Sequence, residues 1–455
     1  MNAVSWIEIS TVLLAVVALV APLRLAVPAW MLLVNFDVSG RDFASDSAVG
    51  LLNAVKAVGL PAVLFWRTTR LSDAPTTARV PLACFATFCA YVAIATLWSP
   101  FPLAGLKLVG NLVGIGLGTA VLVRCVSAGV LSQRAVVAVF AVSIVVAATQ
   151  TFLISDQSFG FSRSTGTARF TSFTASQQFA AWTVALLAVT LSQSTRLTAQ
   201  WLVGAAAGVA LVANGSRTWL LCYAVILGAF VLLKLRSTAR AVSVALLVIT
   251  MAFGAWVATV DTADREDLGG LARLQAVLSA SREGGARHVM TIDTVGWRFV
   301  LYDELLRALS ESGTEALVFG HGTSSSFEVV MAVAGAAVTD PNRAAHNEWL
   351  RVAYEWGAVG VCLWLALVFS FGVWLRARVS RAQLPLLLYT AGLFAVTFIE
   401  NVLASAGSGV GVGGGLVVAM LAIRRVPRMR SRPRLWRGTG TEPTRAVGTK
   451  DPVAA

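Results

Sequence analysis

All three histidines of the chain, His288, His321 and His346, fall in one polar stretch between Asp261 and Trp349. His346 opens the segment His346-Asn347-Glu348-Trp349-Leu350-Arg351, where that stretch runs into an apolar run. An imidazole titrates near neutral pH, so at such a junction it can take a proton from a hydroxyl as a general base. The plainer role is an interfacial side chain that caps a span. A metal site is not indicated: His321 lies 25 residues from His346 and His288 farther still, which is not a ligand spacing.

Two arginines suggest anion chemistry. Arg217 lies in the short turn Asn214-Gly215-Ser216-Arg217-Thr218 between two apolar runs, at the start of the second. Exposed amides at a helix N-terminus plus a guanidinium make a phosphate site, whereas the simpler reading is an arginine snorkelling to lipid headgroups. Arg298 begins a stretch in which Trp297, Leu301, Leu305 and Leu309 recur every four residues, the pattern of an amphipathic helix. It either binds an anion or pairs with Asp303 or Glu304. Arg169, with Arg163, Gln177 and Gln178, forms a further polar cluster. The chain has no Gly-x-x-x-x-Gly-Lys-Ser/Thr loop and no Asp-x-Asp pair in its polar segments, so an arginine set, rather than a bound cation, is expected to meet any diphosphate.

The elements that carry these residues are membrane spans. The chain is 57% hydrophobic and 13% charged, with apolar runs near 7–23, 48–66, 80–98, 103–123, 135–154, 176–192, 198–213, 218–233, 241–260, 352–375, 383–403 and 409–423. Only helices satisfy a spanning backbone in such runs, so an all-α integral membrane protein of about twelve transmembrane helices is expected. The formal charge of +13 is concentrated in short loops and in the tail after Arg424, which is a positive-inside bias and not a nucleic-acid footprint. Both termini are then cytoplasmic. Pro22, Arg24 and Pro28 interrupt the first run, which reads either as one span with a re-entrant segment or as two short spans. Residues 1–260 carry spans one to nine, 261–350 form a large extracytoplasmic loop with amphipathic helices, 351–424 carry spans ten to twelve, and 425–455 form a basic, disordered cytoplasmic tail. Within the loop, Gly320 to Ser326 reads as a flexible connection. The five cysteines all lie in or beside apolar runs and staple nothing in the loop.

On a straight helix Leu350, Ala353, Gly357 and Gly360 lie within about 40° of His346, while Glu348, Arg351 and Glu355 face the other way. Arg351 and Glu355, four apart, are expected to pair, which reduces the cost of holding Glu355 below the interface.

Three segments resemble the O-antigen ligase and Wzy-type polysaccharide polymerase superfamily of bacterial multi-pass membrane glycosyltransferases. These are Ser216-Arg217 at the head of a span, Arg298 followed by Phe319-Gly320-His321-Gly322, and His346-Asn347-x-x-Leu350 with Glu355-x-Gly357-x-x-Gly360. The resemblance implies a GT-C-like helical fold in the cytoplasmic (inner) membrane with its active site on the outer face. It also implies cofactor-free, metal-independent transfer from an undecaprenyl-diphosphate-linked glycan to a glycan or glycolipid acceptor hydroxyl. On that footing His346 is the general base, and Arg217 and Arg298 hold the diphosphate. Arg169, His321, Asn347 and Glu355 are secondary site residues. The rival class is a transporter or flippase of lipid-linked glycans. It requires ionisable residues at mid-membrane, for which Lys56 and Lys107 are the main candidates.

Overall fold

The computed structural model describes residues 3–36, 53–71, 79–154, 161–162, 167–168, 170–172, 174, 176–193, 197–234, 296–334, 347–376, 383–398 and 409–422. The expected span at 241–260, the loop segments 261–295 and 335–346, and the tail 425–455 lie outside the described residues. In chain order the helices are α1 (Ala3–Val20), α2 (Leu23–Leu32), α3 (Leu60–Thr68), α4 (Arg79–Ala95), α5 (Pro102–Ser127), α6 (Gln133–Ala148), α7 (Ser176–Ser192) and α8 (Leu197–Asn214). They continue with α9 (Arg217–Lys234), α10 (Gly296–Ser310), α11 (Thr314–Phe319), α12 (Ser326–Ala334), α13 (Glu348–Arg376), α14 (Leu384–Val396) and α15 (Gly409–Ala422). Every expected span other than 241–260 coincides with a helix. Among the described residues the one sheet is a two-residue antiparallel pairing, with Phe161 opposite Ala168 and Ser162 opposite Thr167.

Among the described residues, five helical segments are long and apolar enough to cross a membrane: Arg79–Trp98, Pro102–Ser127, Gln133–Phe152, Leu197–Asn214 and Glu348–Arg376. Shorter apolar helices accompany them, including Thr218–Leu232, Leu384–Val396 and Gly409–Ala422. The protein is a multi-pass membrane protein.

Helix α7 is the axis of the core. Every residue from Phe179 to Ser192 is buried, as expected of a helix that is apolar all round. Its hydroxyls turn inward on their own backbone, Thr183 donating to Phe179 O and Thr190 to Leu186 O. Its Trp182 indole donates to Ser143 Oγ on α6, which also accepts from Asn35 Nδ2. Interhelical bonds of this kind contribute about 0.6 kcal/mol each on average in membranes. Helix α15 lies against α7 on glycines: a Cβ at Gly413 would sit 2.9 Å from the Ala185 Cβ.

The break expected at Pro22 is present. Helices α1 and α2 pack against each other as two short helices broken at Ala21-Pro22. The Arg67 guanidinium, at the end of α3, donates to the carbonyls of Ala18 (3.0 Å), Leu19 (2.8 Å) and Ala21. It thus caps the C-terminus of α1, where carbonyls lack helical partners and a cation is favoured. Lys56, near the start of the same segment, donates to Phe36 O (2.8 Å) just beyond α2. The bundle thus holds the α1–α2 turn at one end of the 53–68 helical segment and Phe36 toward the other.

Candidate functional site

The site is built around the start of α13. Asn347 is its N-cap: Oδ1 accepts from Trp349 N (3.0 Å) and Leu350 N (3.1 Å), satisfying two amides that have no helical partner. The helix start is fastened to the end of α14, where Thr397 O accepts from Glu348 N (2.8 Å) and Thr397 Oγ1 from Trp349 Nε1 (3.0 Å). Trp349 also stacks on Phe398, ring centroids 5.0 Å apart. His346 itself lies outside the described residues, one position before this cap.

One turn into the helix the expected ion pair is present. Arg351 Nε donates to Glu355 Oε1 at 3.0 Å, and Arg351 Nη1 lies 3.9 Å from Glu348 Oε2. All three side chains are fully buried. Two residues later α13 breaks at Gly357, whose φ of 59° and ψ of −160° are not helical.

The break receives the Gly320–Ser326 turn, read from the sequence as a flexible connection. It is instead held by hydrogen bonds from both sides. His321 N donates to Tyr354 O (3.0 Å) and Gly322 N to Glu355 O (2.9 Å). The Glu355 carboxylate accepts from Ser324 N (2.7 Å) and Ser326 Oγ (2.6 Å). From the other side Thr323 N donates to Ala95 O, Thr323 Oγ1 to Val92 O, and Ser99 Oγ to Thr323 O, all at the end of the α4 segment. Gly320, Gly322 and Thr323 to Ser326 are all buried. Gly320 (φ 80°) and Gly322 (φ 97°) have no room for a side chain, since a Cβ on Gly322 would sit 2.7 Å from Ser99 Cα. Ser324 (φ 70°) is the one described non-glycine residue with positive φ.

His321 and Glu355, both secondary candidates, are thus engaged within the protein. The His321 ring stacks on Tyr354 with centroids 4.2 Å apart, its Nδ1 lies 3.1 Å from Tyr354 O, and its Nε2 lies 3.1 Å from Ser312 Oγ. Sequence reasoning missed Tyr91, whose hydroxyl donates to Phe319 O and Trp356 O across the same joint. It also missed the serines. Their signal was a Gly-x-Gly-Thr-Ser-Ser-Ser run leading into an apolar stretch, which is an N-capped helix start.

Arg298 stands in the first turn of α10, half-buried. The apolar stripe expected there is real: Leu301 and Leu305 are fully buried against Phe327, Val330 and Tyr354, with Leu309 alongside. Glu304, one carboxylate considered for Arg298, pairs with Arg307. Arg217 is the first residue of α9. The turn before it is braced by the 170–177 segment, with Ser216 Oγ donating to Gln177 Oε1 (2.8 Å) and Asn214 Nδ2 to Phe170 O (2.8 Å) and Ser176 O (3.2 Å). Arg169 lies outside the described residues.

Helix α14 connects the three candidate positions. Its Tyr389 stacks on Trp219, two residues after Arg217; Thr397 holds the α13 start next to His346; and Phe398 O accepts from Tyr302 on α10, four residues after Arg298. Among the described residues no group of three or more His, Cys, Asp or Glu side chains is placed to hold a metal ion. All five cysteines are free.

No curated protein matches the chain. The family comparison covers α8 from Leu202 through the first half of α13 and includes all three candidate positions: residues 202–365 match the family model of the O-antigen ligase (Wzy_C) domain.

Proposed function

We propose that the protein transfers a glycan from an undecaprenyl-diphosphate carrier to an acceptor hydroxyl at the outer face of the cytoplasmic membrane, as an O-antigen ligase or polysaccharide polymerase. The match of residues 202–365 to the O-antigen ligase model supports ligase- or polymerase-type activity on lipid-linked glycans. The observation that carries the finer reading is the convergence on α14 of the helix starts at Arg217 and Asn347 and the helix carrying Arg298.

In this reading His346 removes the proton from the acceptor hydroxyl as its oxygen attacks the anomeric carbon. The bond from that carbon to the carrier phosphate breaks, and the anomeric centre inverts. The undecaprenyl diphosphate leaves as an anion stabilised by Arg217, Arg298 and the amides at the start of α9. Guanidiniums at the headgroup level take the part a divalent cation plays in nucleotide-sugar enzymes. Arg169 supplies further positive charge from the 155–174 stretch. The transporter reading rested on deep cations. Lys56 is committed to Phe36 O, and Lys107 is exposed at the start of α5.

The test is purified protein with an undecaprenyl-diphosphate oligosaccharide and chelator. Ladders of repeat units identify a polymerase, and a single shift of an added acceptor a ligase. Carrier moving between leaflets with no new glycosidic bond would overturn the proposal, as would full turnover by His346→Ala or Arg217→Ala protein.

A further inference from the structure

The Glu355 carboxylate lies between two pieces of the molecule that the transferase reading requires to be in register. One is α13, whose start follows His346. The other is the unit of α10, α11 and α12, which carries Arg298 and meets α13 through the Gly320–Ser326 turn. Four hydrogen bonds cross that joint within two residues of α13. His321 N and Gly322 N reach the carbonyls of Tyr354 and Glu355, and Ser324 N and Ser326 Oγ reach the Glu355 side chain. Ser324, held by Glu355, is in a left-handed conformation that a non-glycine residue adopts only under constraint. Arg351 orients the carboxylate from its own helix through a single Nε bond; among the described residues its buried Nη1 and Nη2 make no hydrogen bond, and Nη1 lies 3.9 Å from Glu348 Oε2. A full guanidinium buried for one hydrogen bond and one long ion pair is costly if packing is its only role.

We infer that Glu355 and Arg351 are positioning residues of the transfer site. Together they form a lock that sets the Arg298-bearing unit against the helix start that follows His346. The inference rests on the transferase reading.

The hydrogen-bond pattern makes a specific prediction about pairs of substitutions. Glu355 Oε1 accepts from both Ser326 Oγ and Arg351 Nε, while Oε2 accepts from Ser324 N. In Glu355→Gln the amide oxygen can replace Oε2, but the NH2 then faces the Arg351 Nε–H, donor against donor. Glu355→Gln is therefore expected to release the turn. Adding Arg351→Met removes the opposing donor, and the NH2 can then donate to Ser326 Oγ.

The experiment compares wild type, Glu355→Gln, Ser326→Ala and the Glu355→Gln/Arg351→Met double variant, each purified as monodisperse full-length protein. Amide hydrogen exchange is read on peptides covering 320–326, and kcat and donor KM are measured per folded molecule. The lock predicts faster exchange at 320–326 in Glu355→Gln. It also predicts a fall in kcat on the order of 10²-fold, the scale of an ångström misplacement, with recovery of both readouts in the double variant. Ser326→Ala should fall between wild type and Glu355→Gln. Folded Glu355→Gln with wild-type kcat and donor KM overturns the inference, as does a double variant no better than Glu355→Gln. A wild-type protein that forms no glycosidic bond overturns the transferase reading and the positioning role with it, while the exchange data still report whether the lock exists.

Discussion

Substituting Gly357 with alanine tests the joint between α13 and the Gly320–Ser326 turn most directly. At φ 59° an L-residue is disfavoured by about 1–2 kcal/mol. The added Cβ would also lie 2.5 Å from Gly320 N and 2.6 Å from Val318 O. Both are backbone atoms and cannot rotate away. Forcing such a contact costs about 1–3 kcal/mol on the scale of overpacked cores, so Gly357→Ala should destabilise by about 2–5 kcal/mol in all. That is a large fraction of the roughly 5–15 kcal/mol typical of a folded domain. Gly372, fifteen residues later on the same helix, has nothing within 4 Å of its would-be Cβ. There alanine should be neutral or stabilising by roughly 0.5–1 kcal/mol, because it suits a helix better than glycine. The assay is the thermal midpoint of the purified protein in one detergent, supported by steady-state abundance in membranes. A Gly357→Ala midpoint equal to that of Gly372→Ala would refute the reasoning, since it would mean that the turn does not fill the break.

Three further outcomes are expected. Asn347→Ala removes the cap of α13 and should cost about 1 kcal/mol, while Asn347→Asp, which retains the acceptor, should not; thermal midpoints of the two variants decide. Arg67 fixes the C-terminal end of α1, so if α1 crosses the membrane a cysteine placed before Ala3 should react with a membrane-impermeant maleimide in intact cells and one placed at Thr69 should not; protection of both would put the two positions on the cytoplasmic side. Arg298→Lys should lose about tenfold or more in kcat/KM, because a point charge does not reproduce a planar guanidinium; equal turnover would remove Arg298 from the diphosphate site.

What the sequence disclosed, and what it hid, divides by range of interaction. The Arg351–Glu355 pair was legible because it is local: residues four apart on a helix face meet regardless of the surroundings. The apolar stripe Leu301, Leu305 and Leu309 was legible for the same reason, although its partners Phe327 and Tyr354 were not. The rigidity of Gly320–Ser326 was invisible. Its glycines and serines read as a linker until the carbonyls of Tyr354 and Glu355, more than thirty residues later, were brought to them. The bracing of the α1–α2 turn was hidden by a similar non-local fact: Arg67 follows an apolar run like any loop charge, yet it closes the carbonyls of a helix nearly fifty residues upstream. His321 was considered a secondary site residue because its type carries chemistry, and the stacking of its ring on Tyr354 is a long-range contact that the sequence did not show.

The break in α13 also bears on why a chain this apolar retains helices α10 to α12. A long apolar helix interrupted at Gly357 turns backbone carbonyls away from its own axis, and an unpaired backbone group in an apolar setting costs several kcal/mol. The groups that meet Tyr354 O and Glu355 O belong to the Gly320–Ser326 turn, between α11 and α12, and not to another long apolar helix. Helix α13 and the α10–α12 unit therefore complete each other's hydrogen bonding. The unit cannot lift away without exposing those carbonyls and the Glu355 carboxylate together. Under the proposed function, this joint would fix the helix carrying Arg298 against the start of α13, even though α10 to α12 and α13 are separate in the chain.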